Sequence, residues 1–179
     1  MKRYIALLRG INISGKNKLP MPELKEGFIA LDYHEVRSHL NSGNLLFSTD
    51  ETEETALAAD IRAMISEKFG LDIPVHVLAQ EDLNSLLSQA PDWWNAGDKT
   101  LYDNLIFVLP TSTAEEIAAK IGEATPELEQ IQLCGSAIFW SFDLARHSKA
   151  NWWKKTAAAG IGEHLTIRTA NTVKKLVTL

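Results

Sequence analysis

Glu35-Val36-Arg37-Ser38-His39-Leu40-Asn41-Ser42-Gly43-Asn44-Leu45-Leu46-Phe47-Ser48 is the stretch that decides the fold of this chain. Two strand-forming runs, near 35–40 and 45–48, flank Asn41-Ser42-Gly43-Asn44. Asn and Gly tolerate the positive φ of a tight hairpin turn, so the segment reads as two paired strands. Upstream, an apolar strand at about 3–9 leads to a helix near 20–31, whose Leu24, Phe28 and Leu31 recur at helical spacing. Downstream, Thr52 is expected to cap a helix to about Phe69, with Glu53 and Glu54 in its first turn and Gly70 ending it. Val75-His76-Val77-Leu78 makes a fourth strand. The order βαββαβ is the ferredoxin-like arrangement.

The second half repeats the pattern. Leu105–Leu109 reads as a strand, and Thr113 caps a helix to about Gly122. Strands follow near 128–133 and 137–142, separated by Cys134-Gly135-Ser136. A helix near 148–158 leads to a strand at about 165–168. A short helix closes each half, at 80–89 and 170–178. The expected fold is therefore α+β: two tandem ferredoxin-like (βαββαβ) units with mainly antiparallel sheets, each followed by a short helix. The expected divisions are a first unit at 1–79, a helix and linker at 80–100, and a second unit at 101–179. Tyr4, Ala6 and Leu8 alternate with Ile5 and Leu7, and Leu105, Phe107 and Leu109 with Ile106 and Val108. Strands apolar on both faces need cover on both. The other half, a terminal helix or a second copy of the chain in a homo-oligomer could each supply it.

With 179 residues, 45% apolar and 23% charged, the composition is that of a folded globular protein. Cys134 is the sole cysteine, so no intramolecular disulfide can form, which suits a cytoplasmic location. The apolar run Tyr4–Leu8 stops at Arg9, too short for a signal h-region, and no stretch approaches membrane-spanning length. The net charge of −5 conceals basic ends: residues 1–40 carry a balance of +3 and residues 144–179 a balance of +6, around a centre at −14. Solvated helix faces account for most of those end charges, although they could also converge on an anionic partner.

Gly10-Ile11-Asn12-Ile13-Ser14-Gly15-Lys16-Asn17 matches a phosphate-binding P-loop up to its last position, where Asn17 stands in place of Ser or Thr. An amide cannot supply the Mg²⁺-binding hydroxyl, and Pro20 and Pro22 place the helix start well after Lys16. An NTPase is therefore not expected, and the loop reads as a Gly-rich turn or an anion site. In a βαββαβ unit the first βα loop and the central hairpin emerge at the same end of the sheet. That brings Arg9, Gly10, Asn12, Ser14, Gly15, Lys16 and Asn17 beside Ser42, Gly43 and Asn44. The cluster offers cations, amides, hydroxyls and exposed backbone N–H, but no carboxylate, a combination suited to an anion. His39 is the only titratable base nearby. One cysteine and five scattered histidines supply no zinc site, and no cofactor motif is present. Of the pairs Trp93-Trp94 and Trp152-Trp153, one member each is expected in the core and the other at a seam or surface.

Arg9 to Met21, Asn41-Ser42-Gly43-Asn44 and Arg168-Thr169-Ala170-Asn171-Thr172-Val173-Lys174-Lys175-Leu176 together closely resemble the DUF1697 family of uncharacterised bacterial proteins. Ser14 replaces the first of two paired glycines in the family's R-G-I-N-V-G-G-K-N, and Thr169-Ala170 replace Asn-Trp in its R-N-W-N-T. The resemblance implies the same tandem fold and no established activity. The first expectation is binding of a phosphate-bearing small molecule or nucleic acid at the polar cluster, with Arg168, Asn171 and Lys174 as further contributors. The alternatives are a structural or self-associating protein, and an enzyme using His39 as base with the same cluster holding an anion.

Overall fold

The computed structural model describes residues 1–179. Eight strands and six α-helices form two four-stranded antiparallel sheets, an α+β fold. The chain divides into two compact units, one of residues 1–84 with 176–179 and the other of residues 85–175. The helix Gln80–Leu87 spans the division, and residues 176–179 belong to the first unit.

In the first unit, β1 (Lys2–Leu8), α1 (Met21–Ala30), β2 (His34–His39), β3 (Asn44–Thr49), α2 (Glu54–Phe69) and β4 (Val75–Ala79) follow one another, and α3 (Gln80–Leu87) comes next. The sheet order is β2-β3-β1-β4. Leu7 pairs with Asn44 and Lys2 with Thr49, so the β2–β3 turn sits where β1 ends. Tyr4, Ala6, Leu8, Leu45 and Phe47 form one core with Leu24 and Phe28 of α1 and Leu57, Ile61 and Ile65 of α2. Tyr33 and Phe47 stack at 4.5 Å. On the opposite face Ile5, Leu7 and Leu46 are fully buried as well. Thr52 does not cap α2: its N-cap is Glu53, which makes no side-chain bond. The carboxylate of Glu51 instead accepts the N–H groups of Thr52 at 2.7 Å and Glu53 at 2.9 Å. Those bonds hold Glu51 below the usual carboxylate range.

The second unit holds β5 (Leu101–Val108), α4 (Ala114–Ile121), β6 (Glu129–Cys134), β7 (Ala137–Asp143), α5 (Asn151–Lys155) and β8 (Leu165–Thr169), with α6 (Ala170–Leu176) beginning in it. Its sheet order, β6-β7-β5-β8, is the first unit's order with each strand replaced by its counterpart. Thr113 caps α4 in a full capping box with Glu116. The helix expected at 148–158 is instead two pieces, a 3₁₀ turn at His147–Lys149 and α5, separated by Ala150 in an extended conformation. Buried Ala150 and Trp152 anchor the break. Beneath them lies Glu129, only 6% exposed. Its carboxylate accepts the N–H groups of Thr125 at 2.9 Å and Trp152 at 3.0 Å, and Trp140 Nε1 at 3.4 Å. A buried polar side chain is tolerable only when hydrogen-bonded in this way.

Candidate functional site

The loop after β1 is a miniature hairpin. Asn12 N–H donates to Asn17 O at 3.1 Å and Lys16 N–H to Ile13 O at 2.9 Å. The central residues Ser14 and Gly15 both have positive φ, 50° and 75°, the signature of a type I′ turn. Gly10, Asn12 and Asn17 are left-handed too, so five of eight residues from 10 to 17 occupy the region that favours Gly and Asn. Ile11 and Leu19, each 1% exposed, pin the base of the loop to the core.

This geometry excludes a P-loop on structural grounds. Phosphate-cradling loops run straight into a helix whose first N–H groups face the ligand. Here α1 starts at Met21, and the N–H groups of Asn12 and Lys16 are already spent across the hairpin.

The expected convergence of the two turns is present. Leu8 N–H donates to Gly43 O at 2.8 Å, and Asn12 Nδ2 donates to Asn41 O at 2.9 Å. Gly43 is required twice over: its φ is +83°, and a Cβ there would lie 2.7 Å from that of Leu8. Arg9, Gly10, Asn12, Gly15, Lys16 and Asn17 therefore share one end of the first unit with Ser42, Gly43 and Asn44.

Three amides in this cluster, however, are committed to holding it together. Asn12 Oδ1 accepts Leu19 N–H at 2.8 Å while its Nδ2 donates to Leu19 O and Asn41 O. Asn17 Nδ2 donates to Gly10 O at 2.9 Å. Asn44 is fully buried and donates to His39 O and Ser42 Oγ, at 2.9 and 3.0 Å. Lysines and backbone groups turn outward. Lys16 and Lys18 are exposed and form no ion pair, Arg9 is half-buried, and the N–H groups of Ser14 and Gly15 make no hydrogen bond. The apolar side chains of Ile13 and Leu40, each 59% exposed, stand on the two linked turns.

Arg168 and Asn171 belong to the second unit. Arg168, 8% exposed on β8, donates from Nη1 to Thr166 Oγ1 and Ile167 O, both at 2.9 Å. Burial pushes its guanidinium down to about 10, which leaves it charged at neutral pH. Asn171 is exposed at the start of α6 and lines a groove of about 280 Å³ with Asn95, Asp98, Lys99, Tyr102 and Asp103. No group of three or more His, Cys, Asp or Glu is arranged to hold a metal ion.

Sequence reasoning missed the inner hairpin, although the Ser14-Gly15 pair between Ile13 and Lys16 is a usable type I′ signal. It also missed the role of Glu129, which nothing in a strand-like Glu-Gln-Ile-Gln announces. Trp152 is fully buried and Trp153 41% exposed, the division expected for that pair.

A solved structure, that of the conserved bacterial protein SP0830 from Streptococcus pneumoniae, matches with a TM-score of 0.86 at 26% identity, covering 99% of this chain and 97% of that one. No curated protein matches the chain. The profile of DUF1697, described as a protein of unknown function, matches residues 1–139, and the chain belongs to that family.

Proposed function

We propose that the protein binds an anionic, phosphate-bearing ligand, a nucleotide or nucleic acid, at the end of the first unit where the two turns meet. The observation that carries this reading is Lys16, presented without an ion-pair partner on a hairpin tip beside the unbonded N–H groups of Ser14 and Gly15. Backbone donors next to a cation form an anion-attracting concavity. Lys18 and Arg9 add charge from the same loop, and the scaffold amides of Asn12 and Asn17 hold the tip in one conformation, lowering the ordering cost of binding. We read each unit as ferredoxin-like, supported by the βαββαβ order and the shared strand order, with the units divided near residues 79 and 101. A cytoplasmic location is supported by the single cysteine; no helix is long and apolar enough to cross a membrane.

A second reading has its own support: the three committed amides are what a purely structural loop would also need. A thermal-shift titration separates the two. Pyrophosphate and adenosine monophosphate raise Tm if the rim binds phosphate, by the equivalent of about 2.7 kcal/mol at a hundredfold excess over Kd. Arg9→Ala with Lys16→Ala removes that shift. An unchanged Tm in the native protein, or an equal shift in the double variant, leaves the structural reading standing.

A further inference from the structure

Seven large apolar side chains are exposed in the chain, and three of them, Tyr102, Leu144 and Trp153, gather around one run of rings in the second unit. The Tyr102 ring lies 5.4 Å from Phe142, Phe142 lies 6.3 Å from His147, and His147 lies 4.6 Å from Trp153. Tyr102 and Trp153 are each 41% exposed at the two ends, and Phe142, 6% exposed, forms the floor between them.

The support under these rings is rigid. Asp143 accepts Arg146 N–H at 2.9 Å and its guanidinium at 3.2 and 2.8 Å, closing the turn that carries Leu144. His147 Nδ1 lies 2.8 Å from Leu144 O. A carbonyl only accepts, so Nδ1 carries the proton and the ring is fixed in orientation. On the other side, α5 hangs from Glu129 through Trp152 N–H, which sets the position of Trp153 next to it.

The charge at the Trp153 end of the rings is positive, while Asp98, Lys99 and Asp103 share the groove at the Tyr102 end. Lys149 and Lys154 are exposed and make no ion pair, on the same two short helical pieces as His147 and Trp153. Arg146 is reserved for Asp143, with Glu127 acting on it as well. The balance of +6 over residues 144–179 comes from this stretch and those that follow it.

Rings held open to solvent beside unpaired lysines are the two components of sequence-tolerant single-strand binding: faces for bases and cations for the backbone. We propose that this surface binds single-stranded nucleic acid, with bases stacking on Trp153 and Tyr102 and phosphates meeting Lys149 and Lys154. A duplex keeps its base faces stacked inside and cannot use the rings. A neutral proline-rich peptide could use the rings but gains nothing from the lysines. The surface lies in the second unit and shares no residue with the cluster around Lys16, so it stands or falls separately from the reading above.

The test is anisotropy of a fluorescein-labelled oligothymidylate of roughly 12 nucleotides, within the range one small module covers, titrated with the full chain. Saturable binding is expected, weakened roughly 5- to 100-fold by Trp153→Ala and by Tyr102→Ala, from the range measured for single stacked bases. Lys149→Ala and Lys154→Ala should each flatten the slope of log K against log salt by roughly 0.7, the single-strand value per phosphate. Lys16→Ala should leave this binding unaltered. Unchanged circular dichroism in each variant keeps the comparison within folded protein. Absent binding at low salt, equal affinity in Trp153→Ala, tighter binding of the corresponding duplex, or competition by a neutral polyproline peptide would each overturn the proposal.

Discussion

Replacing Glu129 by alanine should cost the protein a large part of its stability, and the structure sets the size. The carboxylate satisfies three N–H donors: Thr125 at 2.9 Å, Trp152 at 3.0 Å and the Trp140 indole at 3.4 Å. An orphaned buried donor costs about 1–3 kcal/mol. The Trp140 bond is long and contributes at the low end, while Thr125 is half-buried, so water can reach its N–H in part. Trp152 N–H is deeply buried and bears the full penalty. The total is about 3–5 kcal/mol, against the roughly 5–15 kcal/mol that holds an ordinary domain together. Glu129→Gln keeps one acceptor oxygen but turns an NH₂ toward donors, so about 2–3 kcal/mol is expected. Urea unfolding followed by tryptophan fluorescence reports directly, since the Trp140 indole and the Trp152 backbone N–H are both bonded to the Glu129 carboxylate. An alanine variant within about 0.5 kcal/mol of the native protein, the ordinary range of neutral surface changes, would refute the account.

Gly43→Ala should destabilise by about 2–5 kcal/mol, since a methyl meets Leu8 Cβ at 2.7 Å in a left-handed backbone. Gly15→Ala, with the same handedness but open space around it, should cost only about 1–2 kcal/mol, and equal losses in a denaturant series would contradict the packing argument. Tyr33 is pushed up to about 12, chiefly by burial, so the fold favours its neutral phenol. The stability this contributes is whole below the unfolded value of about 10 and is lost as pH rises toward 12. Tyr33→Phe should move alkaline unfolding to higher pH. Phenolate absorbance appearing at the ordinary value in the still-folded native protein would count against it.

The hairpin at Asn41–Asn44 and the period-2 apolar strands were legible in the sequence because each rests on a local rule: positive φ at Gly43, alternation along β1. The meeting of the two turns followed from topology alone. The use of the polar residues was not legible. Asn12, Asn17 and Asn44 carry groups that serve a ligand or a carbonyl equally well, and only the path of the chain shows that Leu19, Gly10 and His39 take them. Ala150 gives no helix-breaking signal, yet the chain extends there so that buried Glu129 can receive Trp152. Thr52 illustrates the converse, a good capping residue that lies one position before the N-cap, Glu53, and makes no cap. Local preference decides where little else competes, and burial decides the rest.

The carbonyl of Leu179 accepts from Arg3 at 3.4 Å and Arg37 at 3.3 Å, and the carbonyl of Leu176 from Gln80 at 2.8 Å. During synthesis, β1 through α3 leave the ribosome long before these four residues do, with all of residues 85–175 emerging in between. Until then the amino-terminal sheet folds with Arg3, Arg37 and Gln80 lacking those acceptors, so its last contacts wait for translation to pass residue 179.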